Sequence, residues 1–209
     1  MVEDEFIVDS PRIRQFIADV RLTLQEHPVQ EALTALGPAF AALLADRSWM
    51  PDEYTQPAVE SGMGGGIATW LLFRSGSGDL SLFSLVVPSG SATPVHDHLA
   101  WGLVGLYAGE QDERVYRRVN GSRTHDELHA KLELAEQNHL RPGDFYLLMP
   151  PEGDIHSVAT ISREASVSIH LLGNDTGCTW RHAYEPQAGT VRAFKSGWSN
   201  VPCKDGETK

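Results

Sequence analysis

From Ile67 to Tyr184 the chain is a succession of short segments rich in branched and aromatic residues, each bounded by turn residues and none separated by a helical pattern. The segments fall at 68–73, 80–87, 101–107, 114–119, 130–135, 145–149, 157–161, 166–172 and 179–184. So many short strands at this spacing leave an antiparallel sandwich or jelly-roll barrel as the expected architecture, and the fold class is all-β. Helical periods occur only ahead of them. Ser10 is placed to cap a helix with Pro11 in its first turn and an apolar stripe of Ile13, Phe16, Ile17, Val20 and Leu24. A second helix follows His27-Pro28, using Leu33, Leu36, Phe40, Leu43 and Leu44, with Gly37-Pro38 expected to kink or split it. The division expected is a helical segment over 1–47, packed on the outside of a barrel domain over 48–209. Residues 1–8 read as loose, and His27 as a solvated cap residue. The run Gly62-Met63-Gly64-Gly65-Gly66 reads as a mobile loop, not a phosphate loop, because no Gly-Lys-Ser or Gly-Lys-Thr follows it.

Inside the strand-rich part lies Pro94-Val95-His96-Asp97-His98. Alternate side chains leave a strand on the same face, so His96 and His98 converge while Asp97 points away, to steady a ligand or to pair outside. His156, in Pro151-Glu152-Gly153-Asp154-Ile155-His156, supplies a third imidazole from a distant strand. Three neutral nitrogen donors suit iron(II), zinc, nickel or copper and leave positions open for a substrate. Gly90 stands six residues before His96, and His156 follows a Pro-X-Gly after two residues. The spacing resembles the two-motif pattern of the cupins, G(X)5HXH followed by PXG(X)2H. The glutamate that common cupins carry four or five places past the second histidine is replaced by Gly102 and Leu103, so a three-histidine site is expected.

Three further stretches narrow the resemblance. His96 to Gly105, the triplet Ser168-Ile169-His170, and the tail from Tyr184-Glu185-Pro186 through Phe194-Lys195-Ser196-Gly197-Trp198-Ser199-Asn200 are similar to the bacterial branch of the thiol dioxygenases, which includes cysteine dioxygenase and 3-mercaptopropionate dioxygenase. The resemblance runs from about Tyr54 to Asn200. It implies one iron(II) per chain on His96, His98 and His156. It also implies a small thiol and dioxygen as partners, a sulfinate as product, and His170 with Ser168 beside the metal. This chain departs from the family in its pocket. Where members read Ser-X-His-X-Tyr, Leu172 replaces the tyrosine, and Gly102 or Leu103 replaces the cysteine that eukaryotic members crosslink to it, so no Cys-Tyr cofactor is expected. Thr69 stands where family members carry a substrate-binding arginine or glutamine. A carboxylate would then need Arg181 or Arg74, although Arg74 falls on the opposite strand face from Thr69. The expected substrate is a thiol carboxylate other than cysteine. The alternatives are a cupin dioxygenase or lyase for a non-thiol anion, and a non-catalytic metal or small-molecule sensor.

A formal net charge of -11, without a cluster of Lys and Arg, argues against nucleic acid as a partner. Met1-Val2-Glu3-Asp4-Glu5 is no leader and no apolar run approaches membrane-spanning length, so no membrane partner and a cytoplasmic address are expected. Cys178 and Cys203 form no Cys-X-X-Cys pair, and a disulfide between them stays open. His125, His129, His139 and His182 read as surface or turn residues, and Glu110 to Glu113 as a solvated hairpin face. The sequence carries no signal of oligomeric state.

Overall fold

A computed structural model describes residues 3–59, 62–119 and 129–203; His125 lies outside them. Two helices come first, α1 over Pro11–Glu26 and α2 over Val29–Ala45. Around them are strands β1 (Glu5–Phe6), β2 (Ala68–Arg74), β3 (Ser81–Val87), β4 (Val95–His96), β5 (Gly102–Ala108) and β6 (Gln111–Arg118). The remainder are β7 (Leu132–Leu140), β8 (Phe145–Leu148), β9 (Ile155–Thr160), β10 (Ser166–Leu172), β11 (Arg181–Glu185) and β12 (Thr190–Phe194). They form two six-stranded antiparallel sheets, ordered β1-β2-β3-β10-β5-β8 and β12-β11-β4-β9-β6-β7. Hairpin pairs such as β2-β3, β6-β7 and β11-β12 alternate with crossovers such as β3-β10, β10-β5 and β4-β9, as the expected jelly roll requires. The fold is an antiparallel jelly-roll barrel, preceded by the two helices.

Ser10 caps α1 by accepting from Ile13 N at 3.3 Å, and Pro11 opens the helix, as the sequence indicated. Glycine and proline do not divide α2, which runs unbroken through Pro38. Both helices cover the outer face of the first sheet. Ile13, Phe16, Leu33 and Phe40 share one apolar cluster with Leu72, Val86, Leu103 and Ile169. Gly105 lets α2 come this close, because a Cβ there would lie 2.5 Å from Leu44 Cδ1 and 2.9 Å from Phe40 Cε1. The inner face of the same sheet carries Phe83, Leu85, Val104 and Leu172, which meet Val158 from the second sheet. With both faces covered, every residue of β3 and β10 is buried, the polar Ser81, Ser84, Ser166, Ser168 and His170 included.

Two strands, Glu5–Phe6 and Thr190–Phe194, lie where none was expected, and the strand read through His96 and His98 is only Val95–His96. Glu5–Phe6 pairs with β2, so that part of the segment read as loose is tied to the sheet. The two-residue β4 sits between β9 and β11, and β12 pairs with β11 from the tail. Gly62 is packed tightly: a Cβ there would be 2.2 Å from Ser196 O, so the first glycine of the run makes a close backbone approach to the chain's own tail, whereas Gly64 and Gly65 have nothing within 4 Å of a Cβ. Cys178 and Cys203 are joined by a disulfide. Among the described residues no helix is long and apolar enough to cross a membrane.

Candidate metal centre

The antiparallel register sets His96 of β4 opposite His156 of β9, and His98 follows two residues on, past the end of the strand. Glycines at left-handed turns precede both motifs, Gly90 at φ 72° and Gly153 at φ 67°, where a Cβ would add strain. The three histidines are buried, their ring centroids are 4.8 to 4.9 Å apart, and one nitrogen from each lies within 4.8 Å of the other two. Each Nδ1 faces an acceptor. His96 Nδ1 donates to Pro94 O at 2.9 Å, and His156 Nδ1 to Glu113 Oε1 at 2.7 Å. His98 Nδ1 stands 3.4 Å from Asp154 O and 3.5 Å from its carboxylate. Carbonyl and carboxylate oxygens only accept, so the proton resides on Nδ1 and the Nε2 lone pairs are left to converge. His156 Nε2 is buried without a hydrogen-bond partner, a cost that a coordinated cation would remove. The residues therefore fit a divalent metal. Burial, then mutual repulsion, pushes His96 well below the ordinary histidine range, and burial also lowers His98, which keeps both rings in the neutral form that a metal needs.

Structural support for the triad comes from carboxylates. Asp154 is fully buried and accepts from His98 N at 2.8 Å and Leu99 N at 3.4 Å, holding Leu99 at φ 56°, a conformation rare outside glycine. Asp97 points away from the metal side as expected, but it neither supports a ligand ring nor pairs outside. It is fully buried and accepts from His182 N, His182 Nδ1 and the Tyr184 hydroxyl at 2.8 to 2.9 Å, which fastens β4 to β11. His182 is thus a structural partner and not a surface residue. Glu113 corrects the solvated-hairpin reading: Glu110 and Asp112 are exposed, whereas Gln111 and Glu113 point into the barrel. Burial pushes Glu113 upward, but hydrogen bonds from His156, Tyr146 and Asn138 outweigh it and bring the carboxyl down to about 2. The Tyr146 hydroxyl lies deep, and burial with the Glu113 charge beside it raises it well above its usual value.

The other expected residues divide. His170 and Ser168 project from the inner face of β10, bonded to each other at 2.9 Å, and His170 stacks on Phe83 at 4.7 Å. Its centroid is 6.3 Å from that of His98, burial lowers it well below the usual range, and its Nδ1 has no partner. Leu172 lies on the same face, directly opposite Gly102, where a Cβ would fall 2.3 Å from Leu172 Cδ2 and 2.2 Å from Leu171 O. No side chain fits at Gly102, so a cysteine could not stand there.

Arg181 belongs to the site. Ala183 is opposite His96, so Arg181, two residues earlier on β11, leaves the same face beside His98. It is buried, donates to Asp97 O and to Ser196 Oγ, lies over the Phe194 ring at 4.8 Å, and leaves Nε unpartnered. Burial brings its guanidinium down to about 10, against the pull of Asp97 and Asp154. Arg74 does not join it. Its guanidinium is spent on Glu5 at 2.8 Å, Pro202 O at 3.3 Å and Asp175 at 3.6 Å, where it ties the tail and β1 to β2. Thr69 faces inward but is not open to a ligand, because its hydroxyl donates to Gly197 O at 2.9 Å.

Sequence reasoning missed Glu113, Tyr146 and the tail residues Phe194, Ser196 and Trp198. Only Glu113 carried a signal, the alternation of Gln111, Glu113 and Val115 with charged neighbours. The apolar groove lined by Gly37, Pro38, Phe145 and Leu147 lies on the outside, between α2 and β8, away from the histidines.

No protein-family model matches the sequence. Solved structures it is similar to include a double-stranded β-helix protein from Klebsiella pneumoniae, 16% identical over 72% of this chain and 99% of that one, with a TM-score of 0.42. Oxalate decarboxylase from Lactobacillus farciminis is 15% identical over 56% of this chain and 31% of its own, with a TM-score of 0.41. A cupin 2 conserved barrel domain protein from Salinispora arenicola is 14% identical over 54% of this chain and 79% of its own, with a TM-score of 0.38. At such values the matches say nothing about chemistry, and the fold rests on the strand order given above.

Proposed function

We propose that the protein is a mononuclear iron(II) dioxygenase that adds both atoms of dioxygen to the sulfur of a small thiol carboxylate, giving a sulfinate. The observation that carries this reading is the meeting of three buried, converging imidazoles with one buried arginine that has an unused donor. When bound, iron(II) supplies the activation of dioxygen beside a thiolate. The four-electron oxidation of sulfur then matches the reduction of both oxygen atoms, so no further reductant is needed.

The chain's own residues select and orient the substrate. Arg181 offers a fixed, largely desolvated cation beside His98, suited to a carboxylate held a few bonds from the thiol. Phe83, Leu172 and Val104 supply an apolar wall that excludes water. His170, bonded to Ser168, presents its free Nδ1 on the same face as a polar contact for the substrate. With Leu172 in place of a phenol and Thr69 committed to Gly197, the pocket lacks contacts a small amino acid would use. L-cysteine is therefore expected to be a poor substrate beside longer or less polar thiol carboxylates.

Oxygen consumption by iron-loaded protein tests the reading against cysteine, 3-mercaptopropionate, mercaptosuccinate and cysteamine. At least one should be turned over to a sulfinate, and His96→Ala should abolish both metal binding and turnover. Activity confined to a thiol-free diketone or catechol would reject the thiol chemistry, and silence toward all of these would point to a sensing role.

A further inference from the structure

The three candidate ligands are alike in type but not in what stands behind them. His96 donates to a neutral carbonyl, and His98 makes only long approaches to Asp154. His156 alone donates to a carboxylate at short range, 2.7 Å, with both side chains 2% exposed. Glu113 reaches it by strand geometry. On β6 it faces inward opposite Val158, so it lies diagonal to His156, which is opposite Val115. Glu113 also receives three donors, from His156 Nδ1, Asn138 Nδ2 at 3.1 Å and the Tyr146 hydroxyl, which stands 3.3 Å from His156 Nδ1. A carboxylate receiving several donors in a closed environment is held as an anion and fixed in direction.

We infer that Glu113 is the positioning residue of the metal centre, acting through His156 to make that imidazole the strongest donor of the triad and so to supply, one hydrogen bond removed, the negative charge that three neutral ligands lack. A carboxylate behind a ligating histidine fixes its tautomer and ring orientation and raises its basicity, and its loss typically costs about 10- to 100-fold in metal affinity. Tyr146 acts in the opposite sense. Its hydroxyl shares the same carboxylate and draws off charge that would otherwise reach His156, so it sets how strongly the ligand donates. The inference rests on the metal reading of the triad but not on the thiol chemistry.

Glu113→Gln keeps the size and an acceptor for His156 while removing the charge, and Tyr146→Phe keeps the ring while removing the competing donor. Two quantities are read without turnover: zinc(II) affinity by titration, and the reduction potential of bound iron. Glu113→Gln is expected to lose roughly 10-fold or more in zinc affinity and to shift the iron potential positive. Tyr146→Phe is expected to shift it negative. Opposite shifts are what a structural role would not produce, and should Glu113→Gln fail to fold, Tyr146→Phe decides alone. Unchanged potentials, or shifts of the same sign, overturn the inference. A wild-type chain that binds no metal overturns it together with the proposed function, whereas the expected shifts in a protein that oxidises no thiol would overturn the proposed function alone.

Discussion

Arg181 illustrates how little a residue type says without its surroundings. Two arginines were candidates for a carboxylate, and both are 3% exposed, so burial does not separate them. Their partners do: Arg74 meets carboxylates of Glu5 and Asp175, while Arg181 meets only a backbone carbonyl and a serine hydroxyl and keeps Nε free. A charge-assisted hydrogen bond contributes about 1.5–3 kcal/mol, so Arg181→Gln should raise KM for a carboxylated thiol on the order of 10- to 100-fold. Cysteamine, which has no carboxylate, is the control. An equal loss on both substrates would show that Arg181 supports the fold around Asp97 and Ser196 instead of holding a carboxylate.

At the scale of elements, the helices and the barrel interlock through contacts that leave no room for a methyl group. A Cβ on Gly105 would press on Leu44 and Phe40 of α2 and on Phe145 of β8, where it would lie 2.9 Å from Cβ. Over-packing of this kind costs about 1–3 kcal/mol, so Gly105→Ala should lower the unfolding free energy read from urea titration by that amount, with a lower midpoint, while leaving metal binding intact, since the histidines lie on the far side of the sheet. An unchanged midpoint would mean that α2 shifts freely over β5. The tail is an element of the same weight. Asn200 gives and takes one hydrogen bond with Leu71, at 2.9 and 3.1 Å, and thus acts as a one-residue partner for the inward bend of β2. Between that tie and β12, Ser196 reaches Arg181 and Trp198 packs edge-on against Phe83 at 5.1 Å.

For the whole molecule, stability should depend on acid in a direction set by its buried groups. His96, His98 and His170 lie below 6.5 in the folded chain, so below about 6.5 the unfolded chain binds protons that the folded chain refuses, and folding weakens by up to about 1.4 kcal/mol per pH unit for each. Glu113 adds a lower window: the stability it contributes is held above 4.5 and lost as pH falls toward 2. The guanidinium midpoint of metal-free protein should therefore fall steeply between pH 7 and 5, and zinc added at pH 7 should raise it; a flat profile would contradict the burial of these rings. The disulfide closes a separation of 25 residues and anchors the tail beyond Asn200. Loop-closure entropy puts its contribution at about 3.5 kcal/mol, so Cys203→Ser, or reduction, should lower the unfolding free energy by that order and raise KM through the loosened Ser196 and Trp198. In a reducing compartment the bond would be open, and the tail contacts alone would hold the wall.

Periodicity alone sufficed for the two helices, the nine expected strand regions and the face shared by His96 and His98, because these follow from the spacing of neighbouring side chains. Ser10 could be read as a cap for the same local reason. Strands as short as Glu5–Phe6 and Val95–His96 leave no period to read and exist only because a partner strand lies beside them. α2 stays intact through Pro38 because its neighbours Leu36 and Phe40 are held in the apolar cluster shared with Leu103 of β5, a tertiary contact that local preference does not record. What surrounds the triad was decided by register across sheets: Glu113 behind His156, Asp154 behind His98, Arg181 beside His98 and Asp97, and Arg74, which the alternation put on the opposite face from Thr69, brought onto Thr69's face by the bulge between Leu71 and Phe73. The pairings of Glu113 with His156, Asp154 with His98 and Arg181 with Asp97 join residues from 43 to 84 positions apart, and no local spacing records them. The barrel and its three histidines were legible because their order is written along single strands, whereas the electrostatics of the site arise only where strands meet.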